Sequence, residues 1–245
     1  MILHIPHASA NIPDREGFLN EEKMQAEILK LTDWYTDDLF QSEEAIRLIA
    51  PFSRVFCDVE RYREDEQEPM SAKGMGVTYT TCDDGSLLRT VTPSLRDRIL
   101  HGYYDVHHLQ LTALVDLQLK EKDRALIIDC HSYPNQPFIR DIDQTEPRPD
   151  FNIGISGFHT PEKWIDGSTR YFNEKGFSLG IDWPYSGTMV PLKHLNQNPN
   201  VYSIMLEVNR DLYVDKNGNG KTERYDEIKS VVGGWLEMIG AKAMH

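Results

Sequence analysis

Residues 125–130 read Ala-Leu-Ile-Ile-Asp-Cys, and this run decides the fold. It stays apolar without alternation as far as Asp129. A strand wet on one face alternates, whereas a parallel strand covered by helices on both faces reads as an unbroken apolar run. Working outward, Pro93 opens a helical pattern that extends to about Lys122, with Asp97, Arg98, Asp105 and His107 among its polar positions; proline favours the first helical position. Residues 2–5, 151–155 and 201–208 read as further strands, and residues 54–58 as a short β-rich run. Residues 77–81 and 87–91 flank Asp83-Asp84-Gly85 and predict a hairpin. Helical periodicity covers residues 21–41, with Met24, Ile28, Leu31, Trp34, Tyr35 and Leu39 on one side. Residues 161–175 and 226–244 predict two more helices. The order implies an α/β fold: a three-layer α/β/α domain over residues 1–245 with a mixed, mostly parallel sheet. Residues 60–75 and 132–150 are the longest irregular stretches, and long loops in compact domains tend to be functional.

With 245 residues, 40% of them hydrophobic, the chain can bury one sizeable core. Its net charge of −13 opposes binding to nucleic acid or to an anionic membrane surface. A small carboxylate ligand would need locally placed arginines. Three cysteines (Cys57, Cys82, Cys130) are too few for a disulfide framework. No apolar run approaches the ~20 residues of a membrane span, and the first residues lack the basic and apolar regions of a signal peptide. A cytoplasmic protein is the expectation.

Ligands of open α/β sheets gather beyond the carboxyl ends of the strands. The strand ends here carry His4-Ile5-Pro6-His7, Arg54 to Arg61, Asp129-Cys130-His131 and Glu207-Val208-Asn209-Arg210. A catalytic zinc takes three ligands of the His/Asp/Glu kind and keeps one position open. His7 and His131, each at a strand end, suit two of these positions. Asp33 sits beside Trp34, where an ionised carboxylate needs a partner or a metal; capping the helix that follows Thr32 is the other reading. Glu207 emerges from an apolar run, either paired to Arg210 or Arg61 or held protonated enough to act as a general base.

At these residues the chain resembles the N-formylglutamate amidohydrolase family. The likeness is carried by His4-Ile5-Pro6-His7-Ala8-Ser9, Thr32-Asp33-Trp34, Ser53-Arg54 with Asp58-Val59-Glu60-Arg61, Asp129-Cys130-His131-Ser132 and Leu206-Glu207. Asp150-Phe151-Asn152 and His108 fit as well, so the resemblance spans residues 2–213. That family is similar in turn to zinc carboxypeptidases, with a turn like His131-Ser132-Tyr133 and a base like Glu207. The resemblance implies a zinc carboxypeptidase-like (phosphorylase/hydrolase-like) fold and one zinc per chain on His7, Asp33 and His131. It implies Glu207 as base, Arg54 for the oxyanion and Arg61 for the substrate carboxylate. Arg210, Asn152, Thr188 and His108 become substrate-binding candidates. The implied substrate is an N-acyl amino acid carrying a carboxylate, in amino-acid catabolism.

Two departures stand out. Ser186-Gly187-Thr188-Met189-Val190 replaces the family's Gly-Gly-x-Ile-Thr, and Glu60 replaces the asparagine before the binding arginine. The carboxypeptidases also place a second ligand three residues after the first, where this chain has Ala10.

Separately, Asp215-Lys216-Asn217-Gly218-Asn219-Gly220 has the oxygen spacing of a calcium loop, with Asp226 at its twelfth position. Asp215, Asn217, Asn219 and Asp226 are thus calcium candidates, against the plainer reading of a polar turn. Three functions fit the whole chain: a zinc amidohydrolase, a carboxypeptidase-like peptidase, and a carboxylate-binding domain without catalysis.

Overall fold

The structure is a computed structural model that describes residues 1–243. Among the described residues six strands form one sheet: β1 (Ile2–Ile5), β2 (Ile46–Ile49), β3 (Ala125–Tyr133), β4 (Phe151–Gly154), β5 (Leu179–Ile181) and β6 (Val201–Asn209). Their order is β2-β1-β3-β6-β4-β5. Only the β4–β6 pairing is antiparallel, so the sheet is mixed and mostly parallel.

The central strand β3 is buried at every position, as its unbroken apolar run predicts. Successive side chains point to opposite faces. Leu126, Ile128 and Cys130 enter a core with Trp164 and Phe172 of α5 (Glu162–Glu174) and Trp235 of α6 (Tyr225–Ala243). Ala125 and Ile127 enter a second core, with Leu111 and Val115 of α4 (Asp105–Lys122). Both faces are therefore covered, which is the α/β/α layering expected. Asp129 and His131 share the parity of Ala125 and Ile127, so they face the α4 side.

The helix at Pro93 begins as the sequence predicts. Thr92 Oγ1 accepts from Leu95 N at 3.2 Å. The helix runs as α3 (Pro93–Ile99), a π-helical turn over Leu100–Tyr104, and then α4.

Several expectations are corrected. The helix over residues 21–41 divides into α1 (Glu21–Leu31) and α2 (Thr36–Leu39). At the break, Asp33 N–H donates to His7 O at 3.0 Å, a bond to the chain beyond β1 that replaces helix continuation. Tyr35 takes a left-handed φ of 64° there.

Residues 54–58 are not a strand. Phe56 and Cys57 N–H both return to Ser53 O, at 2.9 and 3.1 Å, and fold the segment into a turn. The strand sits earlier, at β2. The hairpin shrinks to the isolated bridge Thr81↔Leu87, since Leu88 and Arg89 N–H both use Thr80 O and break the ladder. The last helix is α6; Met244 of the expected 226–244 span lies outside the described residues. Among the described residues, no helix is long and apolar enough to cross a membrane. All three cysteines are free and buried.

Candidate active site

β1, β3 and β6 deliver the site. Register places His4 beside Asp129, and His131 beside Glu207. Residues paired across neighbouring strands project to the same face, so Glu207 flanks His131 at the carboxyl end of the sheet. His7 follows β1, and Asp33 arrives from the break between α1 and α2, tied to His7 by the backbone bond above.

Asp33 Oδ2 lies 3.2 Å from His131 Nδ1 and 3.6 Å from His7 Nδ1. The two imidazole centroids are 5.0 Å apart. Each ring is fixed from behind: His7 Nε2 donates to Asp58 Oδ1 at 2.8 Å, and His131 Nε2 to Asp129 Oδ1 at 3.1 Å. That leaves both Nδ1 atoms turned toward Asp33. His7 Nδ1 and Asp33 Oδ1 are buried without a hydrogen-bond partner.

Orphaned buried acceptors are costly. Here they belong to a His₂Asp set whose Nε2 atoms are already carboxylate-bound, the outer arrangement that orients metal-ligating histidines. The donors of His7, Asp33 and His131 fit a metal ion and form one of two such clusters among the described residues.

The electrostatics follow from burial. Burial opposes charge on His131, but Asp129 and Asp33 outweigh it and raise its pKa well above the ordinary value. A metal taking Nδ1 would displace that proton. Burial likewise opposes charge on Asp33, yet hydrogen bonds from His131 and His7 hold its carboxyl far below the usual range. Glu207 goes the other way. Burial first, and then the Asp33 charge, raise it to about 8 against the pull of His131, Arg54 and Arg210. Its Oε2 is buried and unpartnered.

A cavity of about 430 Å³ opens over these groups, lined also by Arg54, Arg61, Arg148 and Arg210. Arg54 is held by Asp58 Oδ2 at 3.0 Å and by Tyr79 Oη at 3.2 Å. Arg210 donates to Lys30 O at 2.7 Å and lies 3.6 Å from Asp33 Oδ1. Arg61 is the least committed: it stands 3.4 Å from Asp58 and 3.8 Å from Glu68, and its buried Nε has no hydrogen-bond acceptor.

Three of the sequence candidates serve other contacts. Asn152 Nδ2 donates to Tyr185 O at 2.8 Å, and its Oδ1 accepts from Trp183 N at 3.1 Å, shaping the wall that carries Tyr185. Thr188 Oγ1 pairs with Ser203 Oγ at 2.7 Å. His108 Nε2 bonds Val59 O at 2.9 Å, with its ring against Tyr104.

The calcium candidates form a compact turn. Asp215 Oδ1 accepts from the N–H groups of Asn217, Gly218 and Gly220 at 3.0–3.1 Å. Asn219 O accepts from Tyr35 Oη, and Asp226 lies in the first turn of α6. These bonds account for the Asp, Asn and Gly content as a polar turn.

Roles for Asp58, Asp129 and Arg148 are missing from the sequence reading. Asp58 and Asp129 sit within the quoted motifs, and their service to histidine Nε2 atoms emerges only once strands and turns are placed. Arg148 comes from the 134–150 loop, where it pairs with Asp141 at 2.6 Å.

Fold and cavity define the class: an α/β protein with a charged pocket beyond the carboxyl ends of its strands, where enzymes of this build bind their ligands. The sequence profile of N-formylglutamate amidohydrolases matches residues 1–214. The chain belongs to that family. A crystal structure of N-formylglutamate amidohydrolase from Ralstonia eutropha JMP134 shares the fold with a TM-score of 0.87 at 20% identity, covering 99% of this chain and 93% of that one. A gene product of Agrobacterium tumefaciens matches at TM-score 0.66 and 16% identity, over 99% of this chain and 90% of its own. A search among curated proteins finds no match.

Proposed function

We propose that the chain hydrolyses the amide of an N-formyl or other N-acyl amino acid such as N-formylglutamate. His7, Asp33 and His131 hold one zinc ion, and Glu207 is the general base. The observation that carries this reading is the set of converging Nδ1 and carboxylate atoms, two of them unpartnered, with both histidine Nε2 atoms engaged by Asp58 and Asp129. A mixed nitrogen and oxygen set of three suits zinc with a position left open.

Bound zinc supplies Lewis acidity, polarising the amide carbonyl and acidifying water. The remaining work falls to side chains. Glu207 takes a proton from water and returns it to the leaving nitrogen. The guanidinium groups of Arg54 and Arg210 pull the buried Glu207 carboxyl back toward its ionised form. Arg54, anchored by Asp58, donates to the developing oxyanion. Arg61 takes the substrate carboxylate through its planar fork.

His131→Ala is expected to lose zinc while the fold persists, since the ring supplies ligation and little core packing; circular dichroism and elemental analysis together check this. Retention of full zinc would remove His131 from the site. The activity itself is tested by release of formate or free amine from a panel of N-formyl and N-acetyl amino acids beside short peptides. Turnover of the N-acyl amino acids supports the reading. Turnover confined to the peptides would make the chain a carboxypeptidase-like enzyme, and none at all a carboxylate-binding domain.

A further inference from the structure

Behind the proposed zinc ligands lies a second histidine–carboxylate cluster. His4, on β1, is fully buried, and its Nδ1 stands 2.8 Å from Asp129 Oδ1 and 3.2 Å from Glu60 Oε1. One ligand atom from each of the three falls within 4.8 Å of the others. It shares no residue with the group at His7, Asp33 and His131. We propose that His4, Glu60 and Asp129 form a second cation site, taking a divalent transition-metal ion of the zinc–manganese class.

Charge is the first argument. The ion-pair partners of Glu60 and Asp129 among the described residues are histidines, His4 and His131. A buried carboxylate, Asp129, and a partly buried one, Glu60, meet on one imidazole and repel each other, and a divalent cation removes that cost. Glu60 Oε1 is also buried with no hydrogen-bond partner, so an acceptor already faces the cluster unused.

Orientation is the second. His4 Nε2 lies 2.8 Å from His107 Nε2. His4 Nδ1 donates to Asp129 Oδ1, so this ring nitrogen faces the two carboxylates, and a cation bound there would take the place of the shared proton. The donor set is one nitrogen and carboxylate oxygens, which suits zinc or manganese; calcium wants six or more oxygens. Access comes through Glu60, which lines the cavity.

The test uses the full chain stripped of metal, then equilibrated with Zn²⁺ or with Mn²⁺ alone, dialysed and analysed for metal per chain, with calorimetry for the binding steps. Parent, Glu60→Gln and Asp33→Asn proteins are compared, both substitutions being nearly isosteric. The parent is expected to hold two ions, and each variant one. Loss of the only ion in Glu60→Gln, with retention in Asp33→Asn, would support this site and sink the zinc site at His7, Asp33 and His131. One ion in the parent that survives Glu60→Gln overturns the second site. Two ions in both parent and Glu60→Gln also overturn it, because the second ion then lies elsewhere.

Discussion

Replacing Glu207 with glutamine is expected to lower kcat by at least about 10²-fold, with zinc content and KM close to those of the parent. The amide keeps the shape of the side chain but takes no proton at neutral pH. Its position makes the substitution informative. Glu207 faces His131 across the β3–β6 register, lines the cavity, and has Oε2 buried without a partner. A glutamate present only to neutralise an arginine would be paired, and its amide would disturb stability rather than turnover. Single-turnover kinetics at saturating substrate separates the two, and turnover near that of the parent would remove the base role.

The second large effect concerns substrate charge. A chain of net charge −13 disfavours anionic substrates at long range, so any preference for them comes from local contacts. Arg61 is the cavity arginine held by the longest contacts, 3.4 Å to Asp58 and 3.8 Å to Glu68. Removing one side of a buried charge-assisted pair costs about 2–5 kcal/mol, or roughly 30- to several thousand-fold in binding. Arg61→Ala should raise KM by that order for a free-carboxylate substrate and far less for its neutral amide analogue. Arg61→Lys should recover only part, because an ammonium cannot form two parallel bonds to a carboxylate. Equal losses on both substrates would mean that Arg61 supports Asp58 and the turn around it, passing the carboxylate role to Arg54 or Arg210.

The sheet's centre was legible because β3 is buried on both faces, and such strands announce themselves as unbroken apolar runs. Edge strand β2 was not. Ile46 is 41% exposed and Arg47 also faces solvent, which leaves the segment without a core pattern. The break at Asp33 was hidden because Trp34 and Tyr35 continue the apolar spacing of α1, while the cause, a bond from Asp33 N–H to His7 O, is tertiary. His7, Asp33, His131 and Glu207 stood out as polar residues at strand ends or against apolar neighbours, and the structure brings all four to one cavity wall. Asn152, Thr188 and His108 were carried by resemblance alone; the side chains of Asn152 and Thr188 tie loops to the sheet, and that of His108 ties α4 to the turn at Val59. The His4–Glu60–Asp129 cluster needed the β1–β3 register and the packing of α4, neither of which local sequence encodes.

The central claim is that amide hydrolysis here depends on an ion held by His7, Asp33 and His131. Formate release from N-formylglutamate, measured on the chelator-stripped protein before and after zinc is restored, tests it most directly. The account predicts loss of activity on stripping, recovery with zinc in the parent, and no recovery in His131→Ala. Undiminished formate release from the stripped protein would contradict it.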